Sequence, residues 1–267
     1  MKTFKIAMTL GSLVLTGLAC SESSTLALYR LTNGKYYVAR VAFNGSVIDE
    51  RKLKYKGFPS DKPLTVSMGM QNFTDELAVS YVDADDSLTR EVDFLLSGTV
   101  LTHRGQHLPH SAFRVVGSAR FNGDYWAVVQ DQTGGQPYLA DGQPHLTTLN
   151  LSAISLGTYT VAIGAGDFDG DGDGDIAFMD PARKLVRVVY FEGRNAVSLG
   201  PVLNPVAKDR DIIGVADVDR NGSPDIIIKK PGQATRIRFF TGSTMTTTVL
   251  LHGDNDRTLL SVGQADD

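Results

Sequence analysis

The 267-residue sequence predicts an all-β chain built from repeated four-stranded units. Three observations carry that reading. Glycines at positions 69, 117, 164, 214 and 263 each follow a short apolar run, and they are spaced 48, 47, 50 and 49 residues apart, a period that marks stacked repeats or propeller blades. Within each period, β-branched and aromatic runs alternate with Gly, Pro and Asn turn signals. No segment sustains an apolar period of 3.6. The expected architecture is a β-propeller of four-stranded blades, five in number, closed by a C-terminal strand that completes the N-terminal blade.

The elements follow in chain order. Lys2 and Lys5 precede an apolar run at 6–19 that is short for a membrane span and ends in Thr16-Gly-Leu-Ala-Cys20, so residues 1–19 read as a signal peptide. These residues resemble a bacterial lipoprotein signal, which implies cleavage before Cys20 and lipidation of its sulfur. Cys20 is the sole cysteine of the chain, which argues against a disulfide role. Gly17 departs from the Leu that such signals prefer, and Gly17-Leu-Ala19 also suits ordinary cleavage, so secretion stays open beside envelope anchoring. Ser21, rather than Asp, after the cysteine is compatible by the same resemblance with the outer membrane or cell surface.

Residues 24–267 read as one domain, with blades at 24–57 plus 258–265, 64–105, 112–151, 159–204 and 211–251. The N-terminal blade shows three strands, at 25–29, 36–41 and 47–54, parted by Asn33-Gly and Asn44-Gly turns. Its missing strand is found at 258–262, which has no second strand after it. Pairing the two ends leaves no open sheet edge there; an open array of stacked units is the competing arrangement. In the last blade the strands fall at 212–215, 225–229, 235–240 and 245–251, with Pro231-Gly-Gln and Thr241-Gly-Ser as turns.

Two stretches carry chemistry. Residues 167–175 read Asp-Phe-Asp-Gly-Asp-Gly-Asp-Gly-Asp and residues 217–225 read Asp-Val-Asp-Arg-Asn-Gly-Ser-Pro-Asp. Both fit D-x-[DN]-x-[DN]-G-x-x-D. Oxygens at alternate positions of a tight turn converge as a calcium ion with six to eight oxygen ligands requires. Asp167, Asp169 and Asp171 are expected to offer side chains, Asp173 its backbone carbonyl, and Asp175 the closing carboxylate. Asp217, Asp219, Asn221, Ser223 and Asp225 occupy the same places in the second copy, which has less negative charge and is expected to bind more weakly. Gly172 and Gly222 stand where positive φ is needed. An EF-hand is rejected: its position 12 needs Glu, whereas Phe178 and Ile228 stand there and short β-rich runs flank both loops.

The run 165–177, Ala-Gly-Asp-Phe-Asp-Gly-Asp-Gly-Asp-Gly-Asp-Ile-Ala, and the run 215–226 resemble the FG-GAP or VCBS repeat of integrin-type β-propellers and bacterial surface proteins. The likeness covers the two acid-bearing units; residues 69–79 and 117–127 keep the aromatic residue and following strand without the acids. It implies two Ca2+ sites that stabilise rather than catalyse.

Composition agrees with an exported β protein. Acidic residues outnumber basic ones 30 to 26, and no basic stripe for nucleic acid is present. No Gly-x-Ser-x-Gly, His-Glu-x-x-His or phosphate loop occurs, so no catalytic residue is assigned and a non-enzyme is expected. His103, Arg104, His107 and His110 crowd one inter-blade link, read as a solvated loop with ligand contact or a transition-metal site as alternatives. The links at 56–61, 103–110, 208–211 and 254–257 share one polar face, where a protein or glycan partner is expected. The leading expectation is a calcium-stabilised, surface-anchored binding or adhesion module. A polysaccharide-binding or polysaccharide-acting enzyme and a structural component of an envelope complex are the alternatives.

Overall fold

The computed structural model describes residues 24–265, apart from 32, 42–46, 54–63, 72–73, 83–88, 96–104, 109–112, 132, 141–145, 206–209, 220, 231–232 and 252–256. Cys20, the 1–19 segment, the 56–61 link, His103 and His110 lie outside the described residues. The strands are β1 (Ser24–Leu31), β2 (Tyr36–Val41), β3 (Val47–Leu53), β4 (Leu64–Gln71), β5 (Thr74–Val82), β6 (Thr89–Leu95), β7 (Gly105–Leu108), β8 (Phe113–Phe121), β9 (Asp124–Asp131) and β10 (Pro137–Ala140). They continue with β11 (Leu146–Thr148), β12 (Val161–Gly166), β13 (Asp175–Asp180), β14 (Leu185–Glu192), β15 (Asn195–Leu203), β16 (Asp211–Ala216), β17 (Asp225–Lys229), β18 (Arg236–Thr241), β19 (Thr244–Leu250) and β20 (Arg257–Ala265). No helix occurs among the described residues.

The molecule is an all-β propeller of antiparallel meanders. Hydrogen bonding divides it into an eight-stranded sheet, β3-β2-β1-β20-β4-β5-β6-β7, and three four-stranded sheets, β8–β11, β12–β15 and β16–β19. Five separate sheets were expected; four are found. The difference arises because β20 and β4 meet at one parallel bridge, Ala265 with Met68, which joins two meanders into one sheet. β20 pairs with β1 antiparallel from Ser24–Ala265 to Leu31–Arg257, so the two ends of the chain share a ladder. A second correction concerns the 103–110 link. Gly105–Leu108 is a strand that pairs with β6, His107 opposite Arg90, because the open edge of β6 accepts a ladder from a polar segment as readily as from an apolar one.

The periodic glycines lie inside the first strands rather than after them, and steric crowding explains them. β4, β8, β12, β16 and β20 touch in that order, and β20 returns to β4. A Cβ on Gly117 would stand 3.2 Å from the Ala165 nitrogen, and one on Gly164 would stand 3.2 Å from the Val215 Cβ. At both positions and at Gly214 the ladder to the next strand slips by a residue. At Gly117 and Gly164 the repeat therefore marks where converging strands leave little room for a side chain.

Apolar cores fill the seams between neighbouring sheets. One holds Phe121, Val128 and Leu139 with Ile176, Phe178 and Phe191, and Phe121 meets Phe191 edge to face at 5.8 Å. A second holds Phe168, Val186 and Leu203 with Val215, Ile226 and Phe240. A third holds Val218, Ile227 and Phe239 with Ala27, Tyr29, Val41 and Leu259. Phe121, Phe168 and Val218 occupy the same place in three successive units, four residues after the periodic glycine, at or just past the end of the first strand, and each packs with the following sheet. A buried polar weld adds to the first seam. Gln130 accepts the Ala162 N–H at 2.8 Å and an Arg114 N–H at 2.7 Å, and it donates to the Gly135 and Thr160 carbonyls.

Filling the axial gap should be costly. Gly164→Val puts branched carbons against Val215, and chemical denaturation should show a loss of about 2 kcal/mol, the usual scale of overpacking; an unchanged midpoint would mean that these strands do not converge so closely.

Candidate metal centres

Each acidic stretch is the turn between the first two strands of a sheet, β12 to β13 and β16 to β17. The flanking ladders end at Gly166–Asp175 and Ala216–Asp225, so the last Asp of each loop begins a strand and is held by it. The first Asp of each loop folds the turn on itself. Asp167 accepts the Gly170 N–H at 2.7 Å and the Gly172 N–H at 2.9 Å. Asp217 accepts the Asn221 and Gly222 N–H groups at 3.1 and 2.9 Å. Gly170, Gly172 and Gly222 have φ of 81°, 91° and 73°, where a Cβ would be strained.

Within each loop three carboxylates converge. Asp167, Asp169 and Asp175 bring oxygens within 4.8 Å of one another, and so do Asp217, Asp219 and Asp225. Asp175 and Asp225 have no exposed surface. Asp175 accepts the N–H groups of Phe168 at 2.9 Å and Phe191 at 3.1 Å; Asp225 accepts those of Val218 and Phe240, each at 2.9 Å. The carboxylate thereby ties its own loop to the third strand of the sheet. Asp219 Oδ1 is buried without a hydrogen-bond partner. A buried anionic oxygen left in that state is costly, and a cation at the centre of the triad would satisfy it. Hard oxygens alone in the donor set fit Ca2+ or Mg2+ rather than a soft metal.

The remaining expected ligands are engaged in the turn. Asp171 accepts the Asp173 N–H at 2.8 Å, and the Asp173 carboxylate accepts the Gly193 N–H at 2.9 Å. Asn221 donates to the Phe240 carbonyl at 2.7 Å and to Asp219 Oδ2 at 3.1 Å, while Ser223 Oγ accepts the Gly242 N–H at 3.0 Å. Position 7 in both loops thus braces the turn between the third and fourth strands. Position 8 of the first loop carries a signal visible in sequence only as one more glycine. Gly174 donates to the Arg120 carbonyl at 2.5 Å, and a Cβ there would lie 2.5 Å from the Ala119 Cβ.

Burial and crowding shift the carboxyls. Asp175 is pushed up to about 9, chiefly by burial, with the charges of Asp169 and Asp167 adding to the rise. Asp225 is pushed up to about 8, again chiefly by burial and then by Asp219 and Asp217. Asp169 is raised by partial desolvation in the loop and by Asp171 and Asp167. The two loops are thus groups of acids that hold together at neutral pH by retaining protons or by binding a cation.

No protein-family model matches the chain, and no curated protein matches it. Each of the two acidic turns could hold a metal ion.

The raised carboxyls fix the sign of a pH effect. The folded metal-free chain binds more protons than the unfolded chain between the ordinary Asp value, about 3.9, and the raised values. Its stability should therefore fall as pH rises through this window up to about 9. Cation binding at pH 7 should release protons. Calorimetry in buffers of different ionisation enthalpy would detect the release, and a buffer-independent heat would contradict these shifts.

Proposed function

We propose that this chain is a calcium-stabilised, non-enzymatic binding module of the FG-GAP or VCBS type, lipid-anchored at the cell envelope through Cys20. The observation that carries the calcium reading is the pair of Asp triads at matching loop positions, each with its third carboxylate wholly buried and one with a partnerless oxygen. Two loops with the same spacing, the same buried closing Asp and the same bond to the third strand are hard to obtain from solvated turns alone. In the first loop Asp171, and in the second Asn221, would complete the shell with an oxygen or through water. The Asp173 and Ser223 carbonyls remain the proposed ligands at position 7.

The ring is proposed to have five units, each of four strands, with β20 the first strand of the unit that contains β1–β3. Two features support this count: the order of contact among β4, β8, β12, β16 and β20, and the single bridge between β20 and β4 against the long ladder between β20 and β1. The partner face is proposed to be the one opposite the metal loops, where a protein or glycan would meet the links between units. Loops on a rigid scaffold commonly carry binding.

Calcium at about a hundredfold above its dissociation constant should add about 2.7 kcal/mol per site, so chelation should lower the melting temperature by several degrees. Asp169→Ala should remove most of the first site's share, and Asp219→Ala a smaller one. Magnesium should substitute poorly because it demands a tighter octahedral shell. Titration calorimetry that finds no binding at millimolar calcium, the range of weak extracellular modules, would sink the reading.

The anchor is tested separately. Cys20→Ser should shift the protein from the membrane to the soluble fraction, since stable attachment needs more than one acyl chain. Failure of the wild-type chain to incorporate labelled fatty acid would remove the lipoprotein reading and leave secretion. Glycan binding without turnover would support the binding module over a polysaccharide-acting enzyme, which would release product.

A further inference from the structure

The two acidic loops brace different seams, and the second braces the seam where the chain's ends pair. Asp225 Oδ2 accepts the Val218 N–H at 2.9 Å. The Val218 side chain, 6 % exposed, belongs to the apolar cluster that contains Ala27, Tyr29 and Ala39 of β1 and β2 and Leu259 of β20. In the first loop, Asp175 holds the Phe168 N–H in the same way, but Phe168 packs with Val215, Ile226 and Phe240. Among the described residues, none of β1 or β20 belongs to that cluster. The β1–β20 ladder is also the place where the sheet is completed by a strand from the far end of the sequence. Its closure brings together segments more than two hundred residues apart, so it bears the largest loop-closure cost in the fold.

From this arrangement we infer that a cation held by Asp217, Asp219 and Asp225 acts as a latch on ring closure. Without it, the clustered oxygens of the triad have no counter-charge and Asp219 Oδ1 stays buried without a partner, and the loop relaxes by moving Asp225 and Val218 together, which loosens the cluster against β1 and β20. With it, the carboxylates are drawn to one centre and Val218 is fixed in the closing seam. Calcium would then set whether the two ends are firmly paired, and a chain made where calcium is scarce would complete its ring on reaching calcium-containing medium. This inference rests on the calcium reading of the second loop. Linkage makes the coupling reciprocal: whatever weakens the β1–β20 pairing should weaken calcium binding at this loop and spare the other.

The test combines calorimetry with amide hydrogen exchange on the full-length chain, with calcium and with chelator. Calcium should slow exchange in residues 25–31 and 257–262 by about tenfold, within the usual range of coupling between sites. Asp219→Ala should abolish that slowing, with Asp219→Asn as the milder variant if the first does not fold. Asp169→Ala should preserve it. Val218→Ala keeps all three carboxylates and the backbone N–H, so it should still bind calcium yet lose most of the protection at β1 and β20. Calcium binding at the second loop with unchanged exchange in these strands would overturn the latch while leaving the calcium reading intact. Equal loss in Asp169→Ala and Asp219→Ala would also overturn it, since the effect would then be global. Absence of calorimetric binding would remove the calcium reading and the latch with it.

Discussion

A carboxylate sealed from solvent at the end of each acidic loop sets what the surrounding structure can do. Asp175 and Asp225 begin the second strand of their sheets, and each accepts one N–H from its own loop and another from the third strand. The loop, the second strand and the third strand are thus held by one side chain. Burial resists its ionisation, whereas two N–H donors and a neighbouring cation favour it. Replacing the charge with an apolar group would relieve the desolvation but leave both N–H groups without an acceptor, a loss that buried backbone tolerates badly. The site and the fold therefore share the same atoms.

Packing between sheets follows from the same turn. The residue after the first Asp, Phe168 in one loop and Val218 in the other, has its N–H held by the buried carboxylate and its side chain in the seam with the following sheet. Phe121 fills the equivalent place in a unit without the acidic loop, where the turn is Asn122-Gly123 with Asn122 at φ 54°. The seam thus tolerates either a metal-type loop or a two-residue turn. What it requires is a large apolar group at that one position.

Much of this was legible in the residues. The strands of the last unit and the Gly242-Ser243 hairpin fall where apolar runs and turn residues place them, as does the pairing of the C-terminal strand with β1. Positive φ at Gly172 and Gly222 follows from the loop pattern. Other features left no one-dimensional trace. The strand at Gly105–Leu108 is polar and short, and it exists because β6 offers an open edge. The Gln130 weld is a tertiary arrangement that a single glutamine cannot announce. The glycine period was visible, but the reason at Gly117 and Gly164 was not: there the residue marks the approach of a neighbouring strand rather than a turn. The side-chain duties of Asp173 and Ser223 were equally hidden, since their partners, Gly193 and Gly242, lie about twenty residues downstream.

Ser24 and Ala265 stand opposite each other at the end of the β1–β20 ladder, one interstrand spacing apart, about 5 Å. The covalent order of the units is for this reason almost arbitrary with respect to the architecture. A short peptide joining the two ends would span the gap, and the chain could then be cut at a turn between outer strands with every ladder kept. It also means that anything fused after Ala265 would emerge beside Ser24. A C-terminal cargo would sit next to the start of β1, not on the far side of the ring.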